Sequence, residues 1–356
     1  MGLKVLHSAD WHMDSPFSGF TPEQRVYLKG ELRKIPEKVA DICRREECDL
    51  MLLCGDIFDG PASPETVAVL RRVLAECGVP VFISPGNHDY CAPGSPWLDT
   101  RWPDNVYIFK GGLESVAIPE LNCRIYGAGY QSMDCPALLD GFRVSGDEKY
   151  HIAVLHGDPI VIASPCCPVT AAQVRDSGLD YLAMGHIHRP GFFRSGYTHC
   201  AWPGSPMGRG FDETGEKGVY VVELEGGVAG RLVPLDTPWF FTLEVDTEND
   251  AISALESILP GVGNQDFYRI TLTGKSAQEM EAIQTHFSRF PNLTLIDHRE
   301  PEADLWENAD ADTLEGTYFR LLRNAMEDAD PETARHIQMA AEISRKLLAG
   351  KEVALP

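Results

Sequence analysis

Five short polar motifs in this sequence combine Asp, Asn and His at spacings that suit metal binding. The motifs are Asp10-Trp11-His12, Gly55-Asp56-Ile57-Phe58-Asp59, Gly86-Asn87-His88-Asp89, His156-Gly157-Asp158 and Gly185-His186-Ile187-His188. Their candidate ligands are Asp10, His12, Asp56, Asn87, His156, His186 and His188. Seven nitrogen and oxygen ligands are more than one tetrahedral zinc site uses. The pattern therefore predicts two ions that share a bridging carboxylate, for which Asp56 is the natural residue.

Two divalent ions about 4 Å apart suit the hydrolysis of phosphate esters, because together they can hold a hydroxide nucleophile and grip the phosphoryl oxygens. His88 directly follows the candidate ligand Asn87. Because neighbouring side chains in a turn point in different directions, His88 is not predicted to be a ligand. A histidine there can donate a proton to the leaving group or hold the scissile phosphate. Asp59 is the candidate to orient His88. Any one of these motifs alone could be an ordinary turn, whereas five in order favour the dinuclear site.

Each motif directly follows a short apolar run that is predicted to be a β-strand. In open α/β sheets, ligands bind beyond the carboxyl ends of the strands, so we expect all five motifs at one edge of a sheet. In an extended chain, residues two apart point to the same side. Asp10 and His12, and likewise His186 and His188, are therefore expected to face one cavity.

The order of the predicted elements indicates more than one domain. The first half alternates strands and helices, and later β runs favour a mixed β sandwich flanked by helices. Beyond a boundary near residues 234–238, the pattern predicts a β-α-β-α-β unit without residues for chemistry. Residues 300–315 then carry seven acids and no base, and two amphipathic helices follow. We predict a catalytic domain over 1–237, an α/β cap over 238–300 and a connector with a helical tail over 301–356.

The composition narrows the class of protein. The 356 residues carry a formal net charge of −22, which argues against non-specific coating of nucleic acid but not against a nuclease. The start shows no leader and no apolar run approaches the roughly 18 residues of a membrane span, which predicts a cytoplasmic protein without membrane contact. The ten cysteines contain no CxxC pair and are predicted to be free thiols.

At the five motifs the chain resembles the calcineurin-like metallophosphoesterases, whose signature is DxH, GDxxD, GNHD or GNHE, a lone His and GHxH. The resemblance implies an α/β (α+β type) fold, the four-layer α/β/β/α sandwich. It also implies a specific distribution of the ligands. One metal would be held by Asp10, His12, Asp56 and His188, and the other by Asp56, Asn87, His156 and His186.

Four longer segments look like those of the SbcD-type DNA repair exonucleases, in particular the bacterial YhaO-like branch. They span residues 10–17, 102–109, 203–206 and 211–218, and with the small domain and the tail the similarity covers nearly the whole chain. The resemblance implies a cap that selects DNA and tail helices that bind an SMC-like ATPase related to SbcC. One position departs, because relatives of the eukaryotic nuclease carry a His where Asp59 stands.

The leading interpretation is a manganese-dependent DNA exonuclease or endonuclease that works with such an ATPase in DNA repair. One alternative is a phosphodiesterase or phosphatase for small phosphate esters, with the cap as a lid. Another is a non-catalytic scaffold that binds a partner through its tail, although a scaffold has no need of His88. Nitrogen and oxygen ligands leave manganese, iron and zinc open, and the sequence does not decide DNA polarity or whether the protein is a homodimer.

Overall fold

The computed structural model describes residues 2–247, 250–261, 265–276, 278–300, 305–327 and 329–350. The chain divides into two compact units. The first comprises Met1–Leu243, Gly261–Ile270 and Phe290–Thr294, and the second comprises Glu244–Pro260, Thr271–Arg289 and Leu295–Pro356. The division into a catalytic domain, a cap and a tail stays a prediction.

The first unit contains two six-stranded sheets, and the first sheet has the strand order β12-β11-β1-β2-β3-β4. Its strands are β1 (Leu3–Ser8), β2 (Leu50–Leu53), β3 (Val81–Ile83), β4 (Val106–Ile108), β11 (Gly218–Leu224) and β12 (Val228–Pro234). Strands β1 to β4 run parallel to one another, whereas β11 pairs antiparallel with both β1 and β12.

The second sheet has the order β5-β6-β7-β8-β10-β9. Its strands are β5 (Glu114–Ile118), β6 (Cys123–Gly127), β7 (Tyr150–His156), β8 (Tyr181–Gly185), β9 (Gly191–Ser195) and β10 (Thr198–Trp202). Two short β runs joined across residues 119–122 predict a hairpin, which is confirmed by the antiparallel pairing of β5 and β6. Asn122 completes its turn in the left-handed conformation. Strand β9 was not predicted, because it is a half-exposed edge strand without the apolar run that marked the others.

Five helices accompany these sheets. They are α1 (Pro22–Leu32), α2 (Ile35–Arg45), α3 (Pro64–Glu76), α4 (Pro96–Asp99) and α5 (Ala171–Ser177). In the sequence, Thr21 followed by Pro22 predicts a helix N-cap, and the structure confirms it. The Thr21 side chain accepts from the backbone N–H of Gln24, and the Gln24 side chain accepts from the backbone N–H of Thr21. Residues 21–45, which carry seven basic and four acidic side chains, form two helices. Pro36 lies in the first turn of α2, where its missing N–H costs nothing.

Three apolar clusters show how the layers stack. One packs β1, β2 and β3 of the first sheet against β6, β7 and β8 of the second, through residues such as Val5, Leu52 and Val154. A second cluster joins the outer face of the first sheet to helices α1 to α3, and a third joins the outer face of the second sheet to α5. The α/β/β/α sandwich predicted for this chain is confirmed.

The remaining elements follow the predicted β-α-β-α-β order. They are β13 (Phe240–Asp246), α6 (Ala251–Ile258), β14 (Phe267–Thr273), α7 (Met280–His286) and β15 (Leu293–Asp297), and the three strands form one sheet in chain order. The sequence pattern predicts that the second helix of this unit starts at Ala277, which lies outside the described residues, as do 301–304 of the acidic connector. The two predicted tail helices are α8 (Leu314–Glu327) and α9 (Pro331–Leu348), which share a small core around Phe319 and Ala341.

Two further expectations concern the chain as a whole. All ten cysteines are free, as predicted. Within the ranges that the structure describes, no helix is both long enough and apolar enough to cross a lipid bilayer.

Candidate metal centre

The five motifs meet at one place, but they do not come from one sheet. The first three follow β1, β2 and β3 of the first sheet, whereas the last two follow β7 and β8 of the second. The expectation of a single sheet edge is therefore wrong. Because the two sheets pack face to face, the carboxyl ends of five strands from both sheets border the same space.

The motif backbones are kinked, which corrects the expectation of extended chain. Asp10, His12, Asp56 and His186 have φ values of 55°, 47°, 51° and 92°. The loops are tied to each other, since the backbone N–H of His12 donates to the carbonyl of Asp56 at 2.9 Å. Left-handed conformations in residues other than glycine are strained and collect at functional sites. Gly55, with φ of 83°, lies where a Cβ would overlap the His156 ring.

One group of potential ligand atoms comes from Asp10, His12 and His188, which lie within 4.8 Å of one another. The Nε2 atoms of His12 and His188 are 3.1 Å apart. Nδ1 of His188 is 2.8 Å from the Glu213 carboxylate and donates to it, so Nε2 is free to act as the ligand atom. Two imidazole nitrogens at this distance need a proton or a cation between them. The arrangement fits a bound metal ion.

A second group comes from Asp10, Asp56 and His156, again within 4.8 Å. Nδ1 of His156 donates to the Cys54 carbonyl at 2.8 Å, which directs Nε2 towards Asn87 Oδ1 at 2.9 Å and Asp56 Oδ2 at 3.3 Å. Burial is the largest single influence and lowers the pKa of His156, but the charge and hydrogen bond of Asp56, the charge of Asp10 and the bond to Cys54 together raise that pKa to about 9. The imidazole thus faces a strongly negative space.

Asp56 lies between the two groups. Its Oδ2 is 3.3 Å from His156 Nε2 and 3.8 Å from His12 Nε2, and its Oδ1 accepts from the backbone N–H of His88 at 2.8 Å. Burial would raise the pKa of Asp56, but His156 above all holds it well below the usual range. A charged carboxylate in this position can serve both groups.

His186 is placed differently from the other candidate ligands. Its backbone N–H donates to both oxygens of Asp10 at 2.9 and 3.1 Å, and its ring centroid lies 5.2 Å from that of His156. Its Nε2 is 3.9 Å from the carboxylate of Asp158. That distance is too long for a hydrogen bond, and His186 belongs to neither of the two groups of ligand atoms. Asp158 belongs to one of the five motifs, but the sequence had indicated no role for it.

His88 and Asp59 are brought together. Nδ1 of His88 is 3.1 Å from Asp59 Oδ1, which also lies 3.4 Å from His12 Nδ1, and Ser15 Oγ donates to Asp59 Oδ2 at 2.8 Å. The hydrogen bond to Asp59 raises the pKa of His88. The His88 side chain is 42% exposed, while His12 beside it is buried. Asp59 therefore orients two histidines, and sequence reasoning had assigned it only one.

A group of polar residues that hydrogen-bonds to His188 was not identified from the sequence. Glu213 accepts from His188 and from the Arg209 guanidinium, at 2.8 and 3.0 Å. Lys217 is buried and donates to the His188 carbonyl and to Ser205 Oγ, both at 3.2 Å. Burial lowers the pKa of Lys217. Ser205, Glu213 and Lys217 lie in segments 203–206 and 211–218, which carry the resemblance to the SbcD-type exonucleases. The resemblance therefore marked these positions but did not indicate their role.

Asp89, the last residue of its motif, joins two of the loops. Its buried carboxylate accepts the backbone N–H of Gly86 at 2.7 Å and of Ile57 at 2.9 Å. Burial, reinforced by the charge of Asp56, raises the pKa of Asp89 to about 6. It fixes the loop after β3 to the loop after β2, and so holds Asn87 near Asp56. The Asp and His groups together form a candidate dinuclear metal site.

Several known proteins are similar to this chain in sequence. Residues 3–190 match the family model of the calcineurin-like phosphoesterases. The chain is 34% identical over 247 residues to the uncharacterized metallophosphoesterase YhaO of Bacillus subtilis, covering 63% of this chain and 58% of that protein, which is less than two thirds of its length. It is 25% identical over 271 residues to the D chain of the nuclease SbcCD of the same organism, covering 63% and 67%.

A longer match is weaker in identity. The D chain of the nuclease SbcCD of Staphylococcus epidermidis is 20% identical over 387 aligned positions, which cover 94% of this chain and 98% of that protein. The family model itself takes in more than half of the chain and includes all five motifs of the candidate metal centre. This chain belongs to the calcineurin-like phosphoesterase family.

Proposed function

We propose that the chain is a metal-dependent phosphodiesterase that cleaves DNA by two-metal hydrolysis. The observation that carries the proposal is the meeting of both ligand groups with the His88–Asp59 pair at one place. The similarity to two proteins named as part of the nuclease SbcCD supports DNA as the substrate. The net charge of −22 is consistent with a substrate that only has to reach one catalytic pocket.

The ligands divide between two ions in this proposal. Asp10, His12, Asp56 and His188 would hold one ion, and Asp56, Asn87, His156 and His186 the other. The support is that Asp56 lies between the groups, and that His156 and His188 each have one nitrogen occupied by a protein acceptor. Two such ions supply a hydroxide nucleophile at neutral pH and neutralise charge that develops on the phosphoryl group. Manganese is the ion we expect to activate the protein.

His88 is assigned to the leaving group or to the scissile phosphate. Asp59 accepts from Nδ1, which turns Nε2 away from the carboxylate, and it raises the pKa of His88 so that the imidazolium persists nearer neutral pH. A protonated Nε2 can donate to the departing alkoxide, a contribution of about 100-fold or more in rate. The proximity of His88 to His12 and Asp56 would also permit a ligand role, and the experiment must separate the two.

Three variants test this assignment with manganese, on single-stranded DNA, hairpin DNA and bis(p-nitrophenyl) phosphate. Asp56→Asn should lose both metal and activity, because it removes the charge that both ions share. His88→Ala should keep two ions per chain by elemental analysis while losing about 100-fold or more in kcat. His286→Ala is the control, since that exposed histidine pairs with Glu256 outside the centre.

The outcomes discriminate clearly. Loss of metal from His88→Ala would move His88 into the ligand set. Fewer than two ions in the manganese-loaded wild type would overturn the dinuclear assignment. Hydrolysis of the chromogenic ester without any cleavage of DNA would leave a phosphodiesterase and overturn the choice of substrate.

The same proposal includes an SMC-like ATPase partner that binds the tail. Its support is the similarity to components of the nuclease SbcCD and the apolar residues that α8 and α9 leave exposed. The most exposed leucines are Leu314, Leu321, Leu347 and Leu348, each at least 60% accessible. The internal core of the two helices is formed by other residues, chiefly Phe319 and Ala341. These leucines are therefore not required to hold the helix pair together.

Paired substitution Leu321→Lys and Leu347→Lys should abolish co-purification with a co-expressed ATPase of this class and leave the helical circular dichroism unchanged. Leu98→Lys, at an exposed leucine on α4, is the matched control. Undiminished co-purification of the paired variant would contradict the assignment of the partner to the tail.

A further inference from the structure

A pocket of about 580 Å³ opens beside the His88–Asp59 pair. Its walls come from the loop after β1, from residues 209–212 and from β14, and they include Asp59 itself. All of these residues belong to the first compact unit. The volume falls in the range of about 300–1,000 Å³ that is usual for small-molecule sites. The pocket is therefore large enough to take a substrate group that lies next to the reacting phosphate.

Three phenylalanines, Phe17, Phe20 and Phe211, line the pocket. The rings of Phe20 and Phe211 are stacked at 6.3 Å and 29°, and Phe240 lies against both at 5.7 and 5.4 Å. Phe17, also in the wall, has φ of 51°. Positive φ is a genuine outlier for a bulky residue and points to a local requirement. The strained loop after β1 thus contributes an aromatic surface to the pocket as well as ligands to the metal centre.

The two arginines of the pocket differ in how they are held. Arg209 is bound by the Glu213 carboxylate at 3.0 Å and lies 3.8 Å from Asp59. Arg269 is exposed, and its guanidinium carbon lies 4.1 Å from the centre of the Phe211 ring. Across the described part of the chain, Arg269 has no hydrogen bond or ion pair to a carboxylate. The guanidinium of Arg269 therefore lies against the Phe211 ring while the residue remains exposed to solvent.

The charge of the wall decides what the pocket suits. Arg209 and Arg269 are balanced by Asp59 and Asp212, so the wall has no net positive charge to attract a second phosphate. Aromatic rings and guanidinium planes are instead the surfaces on which nucleobases stack. Polar groups beside such surfaces would suit a sugar.

We propose that this pocket binds the nucleoside attached to the scissile phosphate, with its base stacked on the Arg269–Phe211 pair. The proposal rests on the phosphodiesterase function proposed above and assigns the place where the nucleoside of that substrate is held. The base would lie beside Asp59 and His88, so that the ester bond at its sugar faces the metal centre. Arg269 is then a residue that determines specificity.

Substrates with a common leaving group test the proposal. The p-nitrophenyl esters of thymidine 5′-monophosphate and thymidine 3′-monophosphate carry the nucleoside, and bis(p-nitrophenyl) phosphate does not. Wild type should prefer at least one nucleoside ester in kcat/KM. Arg269→Ala should reduce the ratio of kcat/KM between that ester and bis(p-nitrophenyl) phosphate by about 5-fold or more, the lower bound for losing one stacking contact. The change should appear in KM.

Two further variants sharpen the test. Arg269→Lys keeps the charge but lacks the planar guanidinium, so it should lose the preference as Arg269→Ala does. Arg71→Ala, at an exposed arginine of α3 outside the pocket, should leave the ratio unchanged. An unchanged ratio in Arg269→Ala, or full preference in Arg269→Lys, overturns stacking on Arg269.

Calorimetric titration separates this proposal from the proposed function, because it requires no turnover. Thymidine 5′-monophosphate should bind wild type at least about 5-fold more tightly than deoxyribose 5-phosphate, which lacks the base. Equal affinities overturn the nucleoside pocket even if diesters are hydrolysed. A preference for the base in a protein that hydrolyses no diester would uphold the pocket and overturn the phosphodiesterase.

Discussion

Acidification should destabilise the protein through His7, a histidine outside the metal centre. His7 lies on β1 and is completely buried. Its Nε2 donates to the Met184 carbonyl at 2.9 Å, and its Nδ1 accepts from the Tyr181 hydroxyl at 2.8 Å. The neutral ring is therefore satisfied at both nitrogens. Burial lowers the pKa of His7 from 6.5 to about 3.

The sign and size of the effect follow from these two values. The unfolded chain takes up a proton near pH 6.5, whereas the folded chain resists protonation until about pH 3. The contribution of His7 to stability is thus complete above pH 6.5 and is lost as the pH falls towards 3. At pH 5, protonation of His7 in the unfolded chain raises the equilibrium constant for unfolding by roughly 30-fold. This corresponds to about 2 kcal/mol lost from the free energy of unfolding.

His7→Gln isolates the contribution of His7 protonation to stability. A glutamine can donate to the Met184 carbonyl and accept from the Tyr181 hydroxyl, but it cannot titrate. Urea unfolding of both proteins at pH 7 and pH 5, with chelator present, gives four free energies. The difference between wild type and variant should change by about 2 kcal/mol between the two pH values, since all other groups cancel. Parallel pH profiles for the two proteins would refute the assignment of a buried neutral His7.

Three other predictions concern single side chains. Glu213→Gln should weaken manganese binding by about 10- to 100-fold, because it disturbs the acceptor of His188 Nδ1 at 2.8 Å; equilibrium dialysis measures this, and unchanged affinity would contradict it. Asp89→Ala should lower the free energy of unfolding by about 3 kcal/mol or more, because two buried N–H groups at 2.7 and 2.9 Å lose a charged acceptor; urea titration measures this, and a loss below about 1 kcal/mol would contradict it. Phe319→Ala should destabilise the tail by about 3–5 kcal/mol, because Phe319 is fully buried beneath the Arg345 guanidinium; hydrogen exchange in α8 and α9 measures this, and unchanged protection would contradict it.

The sequence was most informative where local patterns determine structure. Apolar runs of strand length, each ended by a polar motif, located β1, β2, β3, β7 and β8 correctly, because a buried strand must be apolar along its length. The cap at Thr21 was also readable, since a side-chain acceptor and a proline mark a helix start. These signals depend only on neighbouring residues.

What the sequence could not predict depends on contacts between distant segments. Strand β1 lies between β2 and β11, and no local pattern indicates that residues 218–224 return to its side. The hydrogen bonds of Glu213 and Lys217 to His188 likewise form only when β11 is in place. The left-handed backbone of Asp10 and His12 arises from hydrogen bonds to the loop after β2, so an isolated DxH segment was predicted to be extended.

The division of the metal centre between two sheets has a consequence for biogenesis. His12 and His188 approach to 3.1 Å although they are 176 positions apart, and each belongs to a different sheet. A chain still under synthesis that lacks its second sheet has three of the five motifs and neither of the paired histidines of the last one. It cannot assemble the centre until most of the first unit has packed. If the proposed function holds, hydrolysis would therefore begin only after both sheets have packed. Conversely, an ion held by both halves clamps them together, and at 100 times its dissociation constant it would add about 2.7 kcal/mol against their separation.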